Sequence, residues 1–325
     1  MRGIYLLPVT CLSISLLSAQ SLSGPVIGFT FDGPTLAIRA VNGLPGSATL
    51  GAAVLNEIEF GSPAPSRTYG VMFKKEQAFL ISGLGSSHVS TQHIPGIFGT
   101  PDGAIWSADG SHVALFSRSE HWIQTLSGLP ASPNAAAHQD LAHLGGLLCD
   151  VAMNSSGGQV AIAMCGRQGG VYLSAGGQQF TPLAGMENPI ALAFSVDGAS
   201  LYVLDAGARK LAVIQLSDSS VHELTLPELA APFAIRAGQD ASKQPVVYVQ
   251  SRSDRVLGIY NVSAKKMEET IRLTFAPTGF QALGSTTFVI AARVRASDPL
   301  WLFSTQPRPA VYFVPAWQAA RRGAE

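Results

Sequence analysis

The sequence predicts an all-β protein, a β-propeller of seven four-stranded blades, from its composition, a repeated strand unit and the period of that unit. Its 325 residues include 33 Gly and 20 Pro, which leaves little room for long helices. Hydrophobic residues make up 47% and charged residues 13%, so a compact core is expected rather than disorder. Because 21 Lys+Arg balance 21 Asp+Glu, nucleic acid and anionic membrane surfaces are poor partners.

The repeated unit is an apolar strand, a tight polar turn and a second strand of β-branched and aromatic residues. Its clearest copy spans residues 191–216 and reads ALAFSVDGASLYVLDAGARKLAVIQL. Asp197 and Gly198 form the predicted turn, and Leu201 to Val203 form the strand that follows it. Six further copies follow this plan, two of them weaker and close to the N-terminus.

The spacing of these copies predicts the number of blades. If the second strand of each copy is marked, the marks fall at positions 36, 79, 113, 160, 201, 247 and 288, with a mean step of 42 residues. A period of about 40 to 45 residues is typical of propeller blades, which bury both faces by stacking in a ring. One step is only 34 residues, so six or eight blades, or two β-sandwiches, remain alternatives. The ring would close through Val26 to Phe31 or through Val311 to Val314.

The segment FSVDGASLYVLDAGARKLAVI at 194–214 resembles the repeats of the bacterial YVTN and NHL propellers, which are WD40-like. The resemblance is good for two or three blades and looser elsewhere, and it covers about residues 24–315. It implies the architecture only, because that broad class includes scaffolds, peptide or protein binders, lactonases and lyases. Function therefore has to be argued from the site.

The N-terminus has the pattern of a secretory signal peptide over residues 1–19. Arg2 precedes an apolar stretch from Ile4 to Leu17, and small residues follow at Ser18 and Ala19. The stretch is too short for a permanent anchor, and cleavage is expected after Ala19. Residues 20–325 would then form one propeller domain in the periplasm or outside the cell, with a short tail at 316–325.

Three acidic residues near predicted blade entrances are candidates for a metal site: Asp102, Asp150 and Glu187. Oxygen ligands of this kind suit Ca²⁺ or Mg²⁺, and residues far apart in sequence can converge at a propeller channel. The simpler interpretation is structural, since Asp102-Gly103 is typical of a turn and Glu187 lies in a loop. No nucleophile elbow, phosphate loop, dinucleotide fingerprint or zinc-protease motif occurs, so no catalytic residue is assigned.

Other polar residues have structural interpretations. The turn aspartates Asp32, Asp109 and Asp197 each precede a glycine and should accept backbone N–H groups, and Asp205 should do the same. His138, Asp140 and His143 are close in sequence, as are His88 and His93, but their spacing suits neither a helix face nor one side of a strand. We expect loops there rather than metal ligands.

Only Cys149 and Cys165 would remain after cleavage of the signal peptide, which removes Cys11. They flank one predicted hairpin, and a loop at Ser156 to Gly158 would place them directly opposite each other. Two interpretations remain open, a disulfide and a pair of buried free cysteines, because a register shift of one residue would separate the two side chains.

The large aromatic residues and two arginines complete the candidates. Strand alternation favours packing between blades over a ligand platform for Trp106, Trp122, Trp301 and Tyr248, and Trp317 lies in the basic tail. Arg67 and Arg236 are near inner strands and either line the channel or have structural roles.

These features predict an exported, monomeric binding module whose loops converge at one mouth of the ring. The expected ligand is a protein, a peptide or a glycan, with no cofactor. The alternative is a metal-dependent, lactonase-like hydrolase that uses acids at the channel mouth. A third hypothesis is a structural element of an envelope complex, which would carry an apolar patch on its outer ring.

Overall fold

A computed structural model describes residues 24–166 and 169–317, and they form seven antiparallel sheets arranged as the blades of a β-propeller. The predicted all-β fold with seven blades is confirmed. Six sheets have four strands in consecutive order, the outermost one of blade 3 being split in two, and the sheet of blade 1 has three. The predicted signal peptide and residues 318–325 of the tail lie outside the described residues.

The first four blades follow the chain in order. Blade 1 consists of β1 (Val26–Asp32), β2 (Ala37–Asn42) and β3 (Thr49–Leu55). Blade 2 consists of β4 (Phe60–Pro63), β5 (Tyr69–Lys74), β6 (Gln77–Ser82) and β7 (Ser90–His93). Blade 3 consists of β8 (Gly103–Trp106), β9 (Val113–Ser117), β10 (Trp122–Ser127), β11 (Asn134–Ala135) and β12 (Gln139–Asp140). Blade 4 consists of β13 (Leu147–Met153), β14 (Gln159–Cys165), β15 (Gly170–Ala175) and β16 (Thr181–Ala184).

The last three blades repeat this order. Blade 5 consists of β17 (Pro189–Phe194), β18 (Ser200–Asp205), β19 (Lys210–Gln215) and β20 (Val221–Thr225). Blade 6 consists of β21 (Pro232–Gln239), β22 (Pro245–Ser251), β23 (Val256–Asn261) and β24 (Lys266–Arg272). Blade 7 consists of β25 (Gln281–Ala282), β26 (Thr287–Ala291), β27 (Leu300–Ser304) and β28 (Ala310–Val314). The helices of the described chain are two 3₁₀ turns, Gly33–Thr35 and Ala142–Leu144, and neither could cross a membrane.

The core lies between the blades. Leu204 of blade 5, for example, packs in one cluster with Ile235 and Val247 of blade 6. The alternation of each strand sends apolar side chains to both faces of a sheet, and each face is covered by the next blade. This stacking explains why the second strands of the blades, such as β18 and β22, are almost entirely buried.

The ring has two faces, which we call upper and lower. In blades 2 to 7 the upper face carries the loops between second and third strands, including Arg118, and the lower face carries the turns between first and second strands, such as residues 65–67. In blade 1 the turn from β1 to β2, at Gly33, lies on the upper face, and the next turn, at Gly43, lies on the lower face. Strand β1 therefore runs in the direction of a second strand.

This direction explains the short step of 34 residues in the sequence marks. Position 79 lies in β6, the third strand of blade 2, so the marks of the first two copies fall one strand too late. When β1 is counted with the second strands of blades 2 to 7, their first residues are 41 to 46 residues apart. Those first residues are Val26, Tyr69, Val113, Gln159, Ser200, Pro245 and Thr287.

Blades 7 and 1 meet without exchanging a strand within the described residues: β1 pairs with β2, and β28 pairs with β27. Neither predicted closing strand crosses to the other blade. The two blades instead pack face to face through an apolar cluster that includes Leu50 and Leu283. Gly28 permits this approach, because a Cβ atom there would lie 2.2 Å from the carbonyl oxygen of Leu283.

Candidate functional site

A cavity of about 370 Å³ opens at the upper face and is the candidate ligand site. Blades 1, 2, 3 and 7 line it, and its charged residues are Asp32, Asp102, Arg118 and Arg293. A second cavity of about 430 Å³ opens at the lower face beside the start of β1 and is lined by the same four blades. Ligand sites of this size usually place a few polar groups among apolar walls, as the upper cavity does.

Asp32 is the most deeply buried charge of the upper cavity. Its Oδ2 atom accepts hydrogen bonds from Arg39 Nε at 2.8 Å and from Arg293 Nη1 at 2.9 Å. All three side chains are at most 6% exposed, so both ion pairs lie in a nearly dry environment. The pair with Arg39 lies within blade 1, and the pair with Arg293 crosses the junction of blades 7 and 1. The Oδ1 atom is buried and has no hydrogen-bond partner among the described residues.

The prediction that Asp32 is a turn aspartate is therefore wrong. No backbone N–H in the following 3₁₀ turn donates to its side chain, and Leu36 rather than Gly33 takes the positive φ. The carboxylate instead neutralises two arginines that a local sequence pattern does not connect to it. Burial of the guanidinium groups makes this pairing necessary, since an unpaired buried charge is very costly.

The other turn aspartates have the predicted role. Asp197 accepts hydrogen bonds from Ser195 Oγ and Ala199 N, and these lower the pKa of its carboxyl group. Burial raises the pKa of Asp109, but hydrogen bonds from Ser107 and Ser111 outweigh it, and the net shift is downward. Asp205 accepts four backbone N–H groups, those of Glu187, Asn188, Gly207 and Ala208.

Two of the three candidate acids, Asp102 and Asp150, lie near the guanidinium of Arg118. Asp102 accepts a hydrogen bond from the backbone N–H of Arg118 at 2.7 Å and forms an ion pair with its guanidinium at 3.1 Å. Burial raises the pKa of Asp150 to about 6, and hydrogen bonds from Leu192 and Val151 and the charge of Arg118 oppose this shift. Arg118 thus influences both carboxylates.

The third candidate acid, Glu187, is not part of this group. Its side chain is exposed, and its backbone N–H is fixed by Asp205 in blade 5. Among residues 24–166 and 169–317, no three His, Cys, Asp or Glu side chains are close enough together to hold a metal ion. The three acids thus do not form one ligand set in this arrangement.

The histidine pairs lie on loops and outer strands. His138 is exposed and stacks on Phe98, with ring centroids 4.0 Å apart, and Asp140 accepts the backbone N–H of Ala142. His93 ends β7, the outermost strand of blade 2, and packs edge-on against Phe79. His138 and His93 thus each pack against an aromatic ring, and neither lines one of the two cavities.

Arg67 and Arg236, the two arginines considered as channel residues, differ in position and in their contacts. Arg67 is exposed on the lower face and donates to the carbonyl of Val26 at 3.2 Å, so it fixes the start of β1. Arg236, in the inner strand of blade 6, is half-buried with its guanidinium 5.0 Å from the ring centre of Phe288. Burial lowers its pKa, and its side chain has no hydrogen bond or ion pair with another described residue.

Most of the large aromatic residues pack between or within blades. Trp106 Nε1 donates to Ser62 Oγ across the junction of blades 3 and 2 at 2.8 Å. Trp122 is buried, and Tyr248 packs against Phe303 of the next blade. Trp301 stacks on Phe275 with centroids 4.3 Å apart.

The cysteines of blade 4 are joined by a disulfide, with Cα atoms 5.8 Å apart. The predicted register of that hairpin is wrong, because Cys165 lies opposite Leu147 rather than opposite Cys149. A β-bulge between Leu148 and Asp150 places Cys149 outside the ladder. The extra residue turns the side chain so that the bond can form.

The residues at or beside the upper cavity that sequence reasoning missed are Arg39, Arg118 and Arg293. Arg118 follows β9 directly, and the position after a second strand at the channel mouth could have identified it. Arg293 lies 261 residues from Asp32 in sequence, and no local pattern indicates that pairing.

Comparison with solved structures supports the fold. The chain is similar to a chain in the crystal structure of a nidogen/laminin complex, with a TM-score of 0.51 and 15% identity over 78% of this chain and 95% of that one. A functionally unknown protein from Desulfotomaculum acetoxidans DSM 771 gives a TM-score of 0.56 and 11% identity, and apo AztD from Citrobacter koseri gives 0.54 and 13%. For both, 88% of this chain and 94% of the other are covered. No protein-family model and no curated protein sequence matches the chain.

The class that the fold defines is the seven-bladed β-propeller. At these identities the similarity extends to the fold alone, so function rests on the upper mouth described above.

Proposed function

We propose that the protein is an exported binding module that holds a protein, peptide or glycan ligand at the upper mouth of the propeller. The observation that carries the proposal is the upper cavity, where charged side chains of both signs converge from blades 1, 3 and 7. Loops from every blade meet at such a mouth on a rigid ring, which suits recognition without large rearrangement.

The residue of this site best placed to touch a ligand is Arg118. Its side chain is 45% exposed, and its ion pair with Asp102 leaves part of the guanidinium open to solvent. Arginine is enriched among residues that dominate binding, because its planar group makes several directed hydrogen bonds. The nidogen/laminin structure is a complex between two proteins, which is consistent with a binding role for a similar fold.

The metal-dependent hydrolase has less support. Asp102 is already paired with Arg118, Asp150 accepts the backbone N–H of Leu192, and Glu187 belongs to a different turn. Metal analysis of the purified protein, with Ca²⁺ and Mg²⁺ titrations of its melting temperature, tests this alternative. A stoichiometric ion that is lost when the three acids are neutralised would favour the hydrolase over the binding module.

The binding proposal is tested with immobilised peptide and glycan arrays. Arg118→Glu should weaken capture at least about tenfold, as expected for a central binding residue. Arg272→Glu makes the same charge change on β24, the exposed outermost strand of blade 6, and should leave capture unchanged. Equal capture by both variants would contradict a ligand site at the upper mouth.

Export, the monomeric state and the YVTN/NHL-like repeat type belong to the same proposal. Export predicts that the mature protein isolated from its native host begins at Gln20, which intact mass determines. A precursor that retains residues 1–19 in the cytoplasm would contradict export, and light scattering tests the monomer.

A further inference from the structure

Three exposed apolar side chains surround the buried Asp32 cluster on the upper face, where blades 7 and 1 meet. Val294 is 81% exposed, the highest value for a large apolar side chain of the described residues, and Leu36 and Trp317 are 50% and 39% exposed. Val294 lies in the loop between β26 and β27, Leu36 follows the 3₁₀ turn after β1, and Trp317 follows β28. Single exposed apolar residues need no explanation, whereas a group of them marks a surface that binds a partner.

Hydrogen bonds to Asp32 bring the loops of Leu36 and Val294 together. Asp32 Oδ2 accepts a hydrogen bond at 2.6 Å from the hydroxyl of Thr35, the residue before Leu36. The same oxygen accepts a hydrogen bond at 2.9 Å from Arg293 Nη1, the residue before Val294. The two loops are therefore joined through one carboxylate oxygen.

Trp317 reaches the same cluster through Arg39. The guanidinium carbon of Arg39 lies 4.6 Å from the centre of the Trp317 ring, and Arg39 Nε donates to Asp32 Oδ2 at 2.8 Å. The three apolar side chains, which we call the rim patch, thus lie around one buried carboxylate. Asp32 also lines the upper cavity, so the rim patch borders the candidate ligand site.

Hydrogen bonds within the loop of blade 7 hold Val294 in solvent. The buried guanidinium of Arg293 donates to the carbonyl of Asp298 at 2.8 Å and to the carbonyl of Ala296. The carboxylate of Asp298 accepts the backbone N–H groups of Val294 and Arg295 at 3.2 and 2.7 Å. The backbone is thus fixed on both sides of Val294. A group that is ordered before binding loses little entropy when a partner covers it.

The backbone of Leu36 is fixed as well. Its N–H donates to the carbonyl of Gly33 at 3.2 Å, and its carbonyl accepts the N–H of Ile58 at 3.1 Å. Its φ of 47° lies in the left-handed region, and Leu36 is the one apolar residue among the described non-glycine residues with positive φ. This conformation is unfavourable for leucine and holds its side chain in solvent, which a role in ligand contact explains.

The charges beside the rim patch are positive in sum. Asp32 pairs with both Arg39 and Arg293, so the buried cluster has one positive charge in excess. Arg295 is exposed, and its side chain has no hydrogen bond or ion pair with another described residue. With the loop carboxylate of Asp298 included, three arginines face two aspartates. A ligand carboxylate would offset this excess through charge-assisted hydrogen bonds with Arg295.

We propose that the rim patch binds a peptide segment of a partner protein that presents an apolar side chain next to a carboxylate. The apolar side chain packs against the three side chains of the rim patch, and the carboxylate accepts hydrogen bonds from Arg295. This inference rests on the proposed binding function of the upper mouth. It narrows the ligand to a peptide, because glycans carry no apolar side chains of this kind.

Capture by an array of immobilised peptides tests this proposal. Each peptide carries leucine or serine at one position and glutamate or glutamine at the next, with randomised residues on both sides. The purified protein should be captured best by peptides with leucine followed by glutamate. Replacing either residue should weaken capture at least about tenfold, as expected for residues that dominate binding.

Variants of the protein separate the two parts of the site. The double variant Leu36→Asn and Val294→Ser should lose the preference for leucine with an unchanged melting temperature, since both side chains are exposed. Arg295→Gln should lose the preference for glutamate over glutamine and keep the preference for leucine. Val196→Ser is the matched control, because Val196 is 50% exposed in the turn between β17 and β18 on the lower face. It should change neither preference.

Three results would overturn the proposal. Equal capture of all four peptide classes would exclude the stated ligand. Capture of glycans that is lost in the double variant would assign the rim patch to a glycan. Capture that appears only after truncation behind Trp317 would assign the rim patch to residues 318–325 of the same chain.

Arg118→Glu distinguishes a failure of this inference from a failure of the proposed function. Capture that is lost in Arg118→Glu but kept in the double variant would retain the upper mouth and exclude the rim patch. Capture that is kept in both variants would exclude both sites.

Discussion

Asp32 holds two arginines from different blades on one carboxylate oxygen, at the junction that closes the ring. Asp32→Asn keeps the shape of the side chain but leaves two buried positive charges facing a neutral amide. Breaking a buried ion pair in this way costs about 3 to 5 kcal/mol, and the free energy of unfolding should fall by that amount. Urea denaturation at neutral pH measures it.

Asp197→Asn is the matched control, because this side chain is exposed and its partners are neutral donors. Its loss should be about 1 kcal/mol, the usual net value of a hydrogen bond. A similar loss of unfolding free energy in the two variants would mean that the Asp32 ion pairs stabilise the fold no more than the hydrogen bonds of an ordinary turn.

Asp150 should make stability depend on pH. Its pKa is about 6 in the folded protein, above the 3.8 of an ordinary aspartate, so the folded state binds a proton more tightly than the unfolded state. The free energy of unfolding should therefore fall as pH rises from about 4 to 6, by at most about 3 kcal/mol. Below pH 4 and above pH 6 this contribution is constant.

Asp150→Asn removes the titration while retaining an oxygen that can accept the N–H of Leu192. Relative to this variant, the wild-type protein should lose stability as pH rises from about 4 to 6. Chemical denaturation at several pH values measures the difference. Parallel pH profiles for the two proteins would show that Asp150 does not titrate there.

Single residues also show what the sequence can predict. Asp197 and Asp109 have all their partners within a few positions, so the Asp-Gly pattern predicted both correctly. Asp32 has the same pattern, but its arginines come from β2 and from a loop of blade 7. Long-range ion pairs leave no local signal, and for the same reason Asp102 and Asp150 were identified without Arg118.

At the scale of one element, the hairpin of blade 4 carries a disulfide with a sequence separation of 16 residues. Replacing both cysteines by serine should lower the free energy of unfolding by about 3 kcal/mol, the value expected for a loop of this length. Reducing agent should lower the melting temperature of the wild-type protein and leave the variant unchanged. An effect of reductant on the variant would contradict this assignment.

The same hairpin shows where element-level prediction fails. Both strands were predicted, and the pairing of Cys149 with Cys165 was kept as one of two alternatives. The assumed register differs from the observed one, and the bulge compensates. Bulges depend on packing between blades, so spacing alone does not reveal them.

At the scale of the whole molecule, the period of the repeat predicts seven blades because each blade must supply two apolar faces. The marks were misplaced only in blades 1 and 2, where they fall one strand too late. The reason is that β1, the first described strand of blade 1, runs in the direction of a second strand. The cavities were not predictable, because residues of four different blades line each of them and no local motif connects those residues.

Closure of the ring depends on close packing at Gly28. Gly28→Ala would place a methyl group 2.2 Å from the carbonyl oxygen of Leu283, so blades 7 and 1 must separate. Overpacking of this kind costs about 1 to 3 kcal/mol, which thermal or chemical denaturation would detect. Gly33→Ala is the control, since a Cβ there meets nothing within 4 Å and should change stability little.

The junction of blades 7 and 1 also sets how the molecule would come apart. Each of the other six junctions joins blades that are consecutive in the chain, whereas this one joins its two ends. If it opens, the ring becomes a linear array of repeats, in which each blade is stabilised only by its neighbours and unravelling can proceed from both ends. A circular permutant that links residues 317 and 24 and is cut between two other blades would move this weak point, and the order in which the blades unfold would move with it.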